Sequence, residues 1–590
     1  MLTFTSPFQI FMKEGRAGRL GKGSPPFETP LKPLVEAELA KRSRLKVTNL
    51  DGPGEEVKKP AKTSAAVVPT GDWADVKLPP RGSKEETARF NELYAKMPAL
   101  WRNLSAEGHI PQTVVVVPSM SLDPEELTKL KGAQHYEERM LFLLILLSSP
   151  KTRVIFVTSE PIHPFIIDYY LQLLPGIPFS HARARLELFA VYDTSPKSLT
   201  QKILDRPTLL RRIRKAIGND PNSHLTVFNV TEAEKSLSVA LGIPLLGPDP
   251  KHLAYGTKSG CRKLFRQAGI PVSEGFEDLK NEDDILDAIY KLKKKRPGMK
   301  RAVIKINDGF SGDGNAILQL GAVSDWSKKA ACIKQLREMV RTQARFQAPG
   351  MNWEGYVRKF EQMEGIVEEF IEGDDKPSPS VQLRITPLGE AQIISTHDQV
   401  LGGPDGQVFI GCTFPAEREY QDELHDAGLK VGEHLAKAGV IGRLAVDFLC
   451  TPKAEGGWDL WAVEINLRAG GTTHPFRTLQ FLTGGRYNHE TGLFEAGHMN
   501  PKFYFASDNL ESEKYKGLLP EDLIDITTFN GLHYNSSSNT GVVFHMIGAL
   551  SQFGKLGVTC VGDSPEEAHG LYKQTIEILD KAVDEVDWIV

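Results

Sequence analysis

Four short runs constrain the fold of this chain more than anything else in it: TVVVVPS from Thr113, then RVIFVTS, LELFAVYD and HLTVFNV. Each is continuously apolar or β-branched and ends in turn residues. Helical stretches around 125–147, 164–174, 198–217 and 231–241 accompany them. A strand that is apolar on both faces must be covered on both, and strands that alternate with helices pair in parallel. Residues 111–250 therefore read as a doubly wound, Rossmann-like α/β domain. Its last segment, LGIPLLGPDP, runs straight into the next unit.

Beyond 250 the pattern becomes α+β. A helix from Lys258 to Ala268 is closed by AGIP, where Gly269 can end a helix and Pro271 cannot continue one. RAVIKI and NAILQL read as a strand pair, flanked by helices near 282–295 and 324–345. GIVEEFI, SVQLRIT and EAQIISTHDQVL add strands, and a helix at 417–438 precedes the hairpin RLAVDFLC–DLWAVEIN. Near the end GVVFHMIGAL and KLGVTCVG are strand-like. Ser564, Pro565 and Glu567 open the last helix with capping-box spacing. These units divide as an α+β region at 251–480 and a smaller α+β region at 481–590. Residues 1–110 mix Gly, Pro and charge without a sustained apolar period and read as a loosely ordered extension.

Composition removes several classes of function. With 71 basic and 75 acidic side chains the formal net charge is −4, which does not suit a nucleic-acid or acidic-membrane binder. The longest apolar run, MLFLLILL at 140–147, falls far short of the roughly 18 residues that span a bilayer. Cys261, Cys332, Cys412, Cys450 and Cys560 are scattered and odd in number, so neither a disulfide framework nor a structural zinc site is expected. A reducing, cytoplasmic setting fits that usage. Lys13, Arg16, Arg19 and Lys22 against the single acid Glu14 leave a transit peptide as a competing reading of the N-terminus.

Three constellations carry chemistry. In AVIKINDGFSGDGNAIL a strand delivers Lys305, and the small-residue turn Ser311, Gly312, Asp313, Gly314, Asn315 returns the chain. Such a turn lets backbone N–H groups approach phosphates, and also makes an ordinary hairpin. In RLAVDF and WAVEINLRAGG, Asp447 and Glu464 sit inside apolar strands, and Asn466 lies two residues past Glu464 on the same face. Carboxylates so placed must be paired or bound to metal. Their oxygens suit a hard cation such as Mg²⁺, or Mn²⁺ in its place, and Arg468 falls on that face to steady negative charge. A salt-bridge network with Arg443 and Arg468 is the competing reading. In IVEEFIEG a strand runs into a turn, with backbone suited to an adenine edge and Glu372, Asp374 or Asp375 available to ribose hydroxyls.

Taken in order, Lys258 before AGIP, Lys305 with SGDGN, VEEFIEG, and then Asp447, Glu464 and Asn466 resemble the ATP-grasp superfamily over residues 250–480. GTKSGCRKLF, PSPSVQLRI, EINLRAGGTTHPF and GKLGVT extend the likeness over 111–590 to ligases with a preceding α/β domain, related to the pheganomycin peptide ligase. The resemblance implies ATP held between two lobes and a carboxylate joined to an amine through an acyl phosphate. It assigns Lys258, Lys305 and residues 311–315 to the phosphates, and Glu368, Glu369, Phe370, Ile371 and Glu372 to the nucleotide hinge. Asp447, Glu464 and Asn466 would hold Mg²⁺, and Lys305 and Arg468 would serve the reaction. The insertion DDKPSPS after the hinge leaves the ribose ligand open. Arg443, His397 (beside Asp398 and Gln399) and His474 in GGTTHPF are candidate substrate contacts, whereas His545 reads as a core histidine and KLKKKRPGMKR as a solvated helix end. The expected partners are a small carboxylic acid and an amine. A kinase on the same scaffold, or a nucleotide-binding regulator, shares this sequence pattern.

Overall fold

The computed structural model describes residues 78–586, apart from 106–109, 123, 310–313, 324, 349, 374–375, 403–405, 407 and 498–499. Five strands, β1 (Gln112–Val117), β2 (Thr152–Thr158), β3 (Leu186–Ala190), β4 (His224–Val227) and β5 (Leu245–Leu246), form a parallel sheet. Their spatial order is β3-β2-β1-β4-β5, so the chain reverses direction of growth at β1. Alternate residues explain the double covering: Val114 and Val116 enter one core, Val115 and Val117 the other.

A second, antiparallel sheet comprises β6 (Gly275–Leu279), β7 (Arg301–Ile306), β8 (Asn315–Gln319), β9 (Arg345–Phe346) and β10 (Gly365–Glu369), in the order β6-β10-β7-β8-β9. One face packs on the helices Glu282–Lys295, Lys329–Gln343 and Trp353–Met363 through Ala302, Ile304 and Ile306. The intervening β7 residues, Val303 and Lys305, are thereby turned to the opposite face.

The third sheet has β11 (Pro379–Ile385), β12 (Ala391–Gly402), β13 (Val408–Phe414), β14 (Gly442–Pro452) and β15 (Trp458–Asn466). A small hairpin, β16 (Arg486–Asn488) and β17 (Leu493–Glu495), precedes β18 (Phe503–Glu511), β19 (Gly541–His545) and β20 (Lys555–Gly562). The last three do not make a separate sheet. β18 pairs with β13, giving eight strands in the order β15-β14-β11-β12-β13-β18-β20-β19. Val381, Leu383 and Ile385 of β11 and Leu444, Val446 and Phe448 of β14 pack with the helix Gln421–Lys437. Ser380, Gln382, Ala445 and Asp447 consequently face the other way.

Three sequence expectations need correction. The helix expected over 125–147 is two pieces, Pro124–Lys129 and a 3₁₀ stretch Ala133–Ser148, separated where Gly132 takes a left-handed φ of 67°. Likewise 198–217 divides into Leu199–Leu204 and Pro207–Ile217, because Pro207 lacks the N–H that a continuous helix needs. Within the stretch expected to be loosely ordered, Lys84–Tyr94 and Met97–Ser105 are helices. They bury Phe90, Leu93, Met97, Leu100, Trp101 and Leu104. Ser564 accepts from the N–H of Glu567 at the start of the last helix, as its spacing suggests.

Candidate functional site

Between the second and third sheets lies a cleft of about 370 Å³. Its walls include Lys258, Lys305, Gly314, Asn315, Glu368, Glu369, Phe370, Ile371, Asp447 and Glu464. Ten residues spread over 206 positions of sequence thus meet in one crevice. Ser311, Gly312, Asp313, Asp374 and Asp375 lie outside the described residues.

The cationic side is built around a carboxylate. Lys305 Nζ is 2.6 Å from Glu368 Oε1, while Arg262 Nη1 and Ser273 Oγ both donate to Glu368 Oε2, the latter at 2.8 Å. Burial opposes ionisation of Glu368, but Lys305 and Arg262 outweigh it and hold the carboxyl down at about 2. The side chain of Glu368 therefore fixes the Lys305 ammonium. The N–H groups of Glu369 and Phe370 are already bonded to Glu274 and Arg301 carbonyls, at 2.8 and 3.2 Å. Glu372 lies off the cleft wall, with Oε1 accepting from Arg301 Nε at 3.0 Å.

The acidic side comes from the β14–β15 ladder. Asp447 and Glu464 are direct cross-strand partners, and Asn466 faces Ala445 on the same ladder. Asn466 Nδ2 donates to Asp447 Oδ2 at 2.9 Å and to Glu464 Oε1 at 3.3 Å. Ser380 Oγ donates to Asp447 Oδ1 at 2.6 Å. Lys258 Nζ pairs with Glu464 Oε2. Burial pulls the Lys258 ammonium down to about 8 and raises the Asp447 carboxyl above its usual range. Two carboxylates directly opposite one another repel unless a cation lies between them. With an amide and a hydroxyl beside them, they make a donor set of oxygen character that fits a hard divalent cation.

The same two carboxylates also border a second cleft, of about 320 Å³, together with Asn466, Arg468, Arg139, Asp508 and Lys555. Burial lowers the Arg468 guanidinium to about 10, still cationic at neutral pH. The three substrate candidates lie elsewhere. Arg443 borders a smaller cavity of about 130 Å³, which shares Phe228 and Arg468 with the second cleft. His397 is fully buried among Phe414, Phe476 and Tyr504, with Nε2 2.6 Å from the Tyr504 hydroxyl. It borders neither cleft and is a core residue, because the strand turns it into the aromatic cluster. His474 is buried too, with Nε2 2.9 Å from His545 Nε2. Sequence reasoning missed Arg262, Ser273, Ser380, Arg139 and Asp508. Nothing local marks them, and their partners lie up to several hundred residues away.

A parallel α/β domain thus stands ahead of two lobes that enclose lysines on one side and paired acids on the other. Residues 250–348 and 321–490 match the family described as IQCH-like, ATP-grasp, and residues 522–575 match the PGM1 C-terminal domain. Over residues 250–490 the chain is thus similar to ATP-grasp proteins. An L-propargylglycine–L-glutamate ligase of Streptantibioticus cattleyicolor is 28% identical over 467 residues, covering 78% of this chain and 92% of that one. IQ motif-containing protein H of Danio rerio is 23% identical over 440 residues, 67% of this chain but only 41% of its own length. Among solved structures, an ADP complex of N5-carboxyaminoimidazole ribonucleotide synthetase superposes with a TM-score of 0.46 at 13% identity, over 80% of this chain and 97% of that one. The biotin carboxylase domain of Hydrogenobacter thermophilus 2-oxoglutarate carboxylase gives 0.48 at 12%, over 80% and 90%. Among the described residues no helix is long and apolar enough to cross a membrane.

Proposed function

We propose that the chain is an ATP- and Mg²⁺-dependent ligase that joins a small carboxylic acid to an amine through an acyl phosphate. The observation that carries this reading is the shared wall: Asp447 and Glu464 border both clefts. A nucleotide in the first and an acid in the second then meet across the same carboxylate pair, the arrangement phosphoryl transfer requires. The likeness to an L-propargylglycine–L-glutamate ligase over most of both chains supports an amino-acid-like substrate class.

Each group then has a task. Lys258 and Lys305 supply positive charge to the phosphates, and Glu368 keeps Lys305 directed into the cleft. The strand end at Glu369, Phe370 and Ile371 provides the apolar and backbone surface against which a base lies. Asp447, Glu464 and Asn466 would hold Mg²⁺, which when bound neutralises phosphate charge and orients the transferring group. Arg468 lies beside them in the second cleft, placed to balance negative charge on the acid as it is phosphorylated. Displacement of phosphate by the amine completes the amide without a covalent enzyme intermediate.

The test is ADP release by the purified chain over a panel of amino acids and carboxylic acids, with mass spectrometry of the products. The expected result is ADP release that needs both acid and amine and yields an amide. A stable phosphorylated product formed without amine would make the chain a kinase. No turnover with any acid would leave the regulator reading in its place. Asp447→Asn is expected to abolish turnover with its circular dichroism spectrum unchanged.

A further inference from the structure

Below the second cleft, three metal-ligating groups from distant segments meet at one point. His474 is the second residue of the helix Thr473–Thr483, Asp508 lies in β18, and His545 ends β19. Asp508 Oδ1 is 3.0 Å from His474 Nε2 and 2.6 Å from His545 Nε2, and the two Nε2 atoms are 2.9 Å apart. The side chains are 5%, 9% and 6% exposed for His474, Asp508 and His545, too little for water to be what draws them together.

Hydrogen bonding alone accounts poorly for this triangle. One carboxylate oxygen can accept from both imidazoles, but the two Nε2 atoms then gain nothing from lying in mutual contact. A cation above the triangle satisfies all three at once. Zinc, with nitrogen ligands about 2.0–2.1 Å away, sets neighbouring ligand atoms roughly 3.3 Å apart in a tetrahedron, so the observed edges need to open by about 0.3–0.7 Å, most at the Asp508–His545 edge.

Two further features suit such a site. Gly557 is the β20 partner of His545, and a Cβ there would come within 2.2 Å of His545 Nε2 and Cδ2. The ring occupies the space a side chain would fill. Arg139 Nη1 donates to Asp508 Oδ2 at 3.0 Å, which leaves Oδ1 for the histidines. Arg139 is itself held by Met120 Sδ at 3.3 Å and by the faces of Tyr136 and Phe228. An outer partner that orients a ligating carboxylate is a regular part of metal sites.

We propose that His474 Nε2, Asp508 Oδ1 and His545 Nε2 bind a divalent first-row transition-metal ion of the zinc class, at a site separate from the oxygen donors Asp447, Glu464 and Asn466. Two imidazole nitrogens select against Mg²⁺ and for such an ion, and a two-histidine, one-carboxylate set leaves a position for a further ligand. Asp508 borders the second cleft, so that ligand is water or a substrate carboxylate entering from there. The inference does not depend on the ligase reading.

The experiment uses the full chain, stripped with a chelator and titrated with Co²⁺ while its visible d–d absorption is followed. The expected result is one equivalent bound with a low-symmetry cobalt spectrum, displaced by Zn²⁺ and indifferent to millimolar Mg²⁺. Asp508→Asn and His545→Gln should each weaken binding by about 100-fold or more, and His569→Gln, on an exposed histidine, should leave it unchanged. Less than stoichiometric uptake by the unaltered chain would overturn the proposal, and so would equal affinity in all variants. The titration of the unaltered chain decides the matter even where a substitution prevents folding, and His474→Gln offers a third ligand change.

Discussion

Glu368 holds three donors on one buried carboxylate, and no short window of sequence contains them. Arg262 lies 106 residues before it and Ser273 95 before it. Its segment, IVEEFIEG, reads from its pattern as a strand running into a turn and as a hinge only by resemblance, yet which of its acids turns inward is decided by the pairing of β10 between β6 and β7. Glu368→Gln removes the countercharge from two cations, and a buried pair broken on one side costs about 3–5 kcal/mol. The expected result is a stability loss of that order in urea titration, with a raised KM for ATP as Lys305 loses its tether.

His397 makes the opposite point. Its polar neighbours Asp398 and Gln399 marked it as a substrate contact, but burial among aromatic rings pushes its imidazole down to about 3. The unfolded chain takes up a proton near pH 6.5 that the folded chain refuses. Its contribution is therefore complete above pH 6.5 and is lost as pH falls toward 3, with a slope of up to about 1.4 kcal/mol per pH unit. His397→Gln should be less stable at pH 7 yet show a shallower decline between pH 6 and pH 4.5 by chemical denaturation. Parallel declines would refute the assignment.

At the scale of elements, strands were the most legible features, because alternation alone separates core-facing from cleft-facing residues. It turns Lys305 out of β7 and Asp447 out of β14, and the ladder register then sets Glu464 beside Asp447. Helix ends were less legible, since Gly132 and Pro207 interrupt otherwise continuous apolar patterns. The helices at 84–105 were missed for a different reason. Phe90, Leu93, Met97, Leu100, Trp101 and Leu104 recur at helical spacing, but the Gly-, Pro- and charge-rich chain before them set the reading of the whole stretch. Trp101 is 1% exposed and lies 5.6 Å from the Arg384 guanidinium of β11, which ties these helices to the third sheet. Trp101→Ala should cost about 3–5 kcal/mol, read as a fall in melting temperature, and a variant that melts like the parent would show the contact to be idle.

At the scale of the molecule, a single carboxylate pair borders two clefts, so under the proposed function one substitution should silence both together. Glu464→Ala is expected to lose ADP release for every acid tested, while Arg468→Ala retains nucleotide binding by equilibrium dialysis but loses turnover. Equal loss of binding in both would move Arg468 to the nucleotide. This level of organisation was legible only as an ordered list of motifs. The spatial partition into two clefts depends on packing between sheets, for which spacing along the chain gives no measure.

The junction of β13 with β18 has a consequence of its own. Removing everything beyond residue 480 would strip three strands from the eight and bare the edge of β13 at Cys412, Thr413 and Phe414, an unpaired border of the kind that recruits other chains. Such a fragment should come out of cells as aggregate and bind no nucleotide. Anyone wishing to exchange the tail between relatives would therefore be cutting through a continuous fabric: the two parts have to be inherited, or engineered, as a single piece.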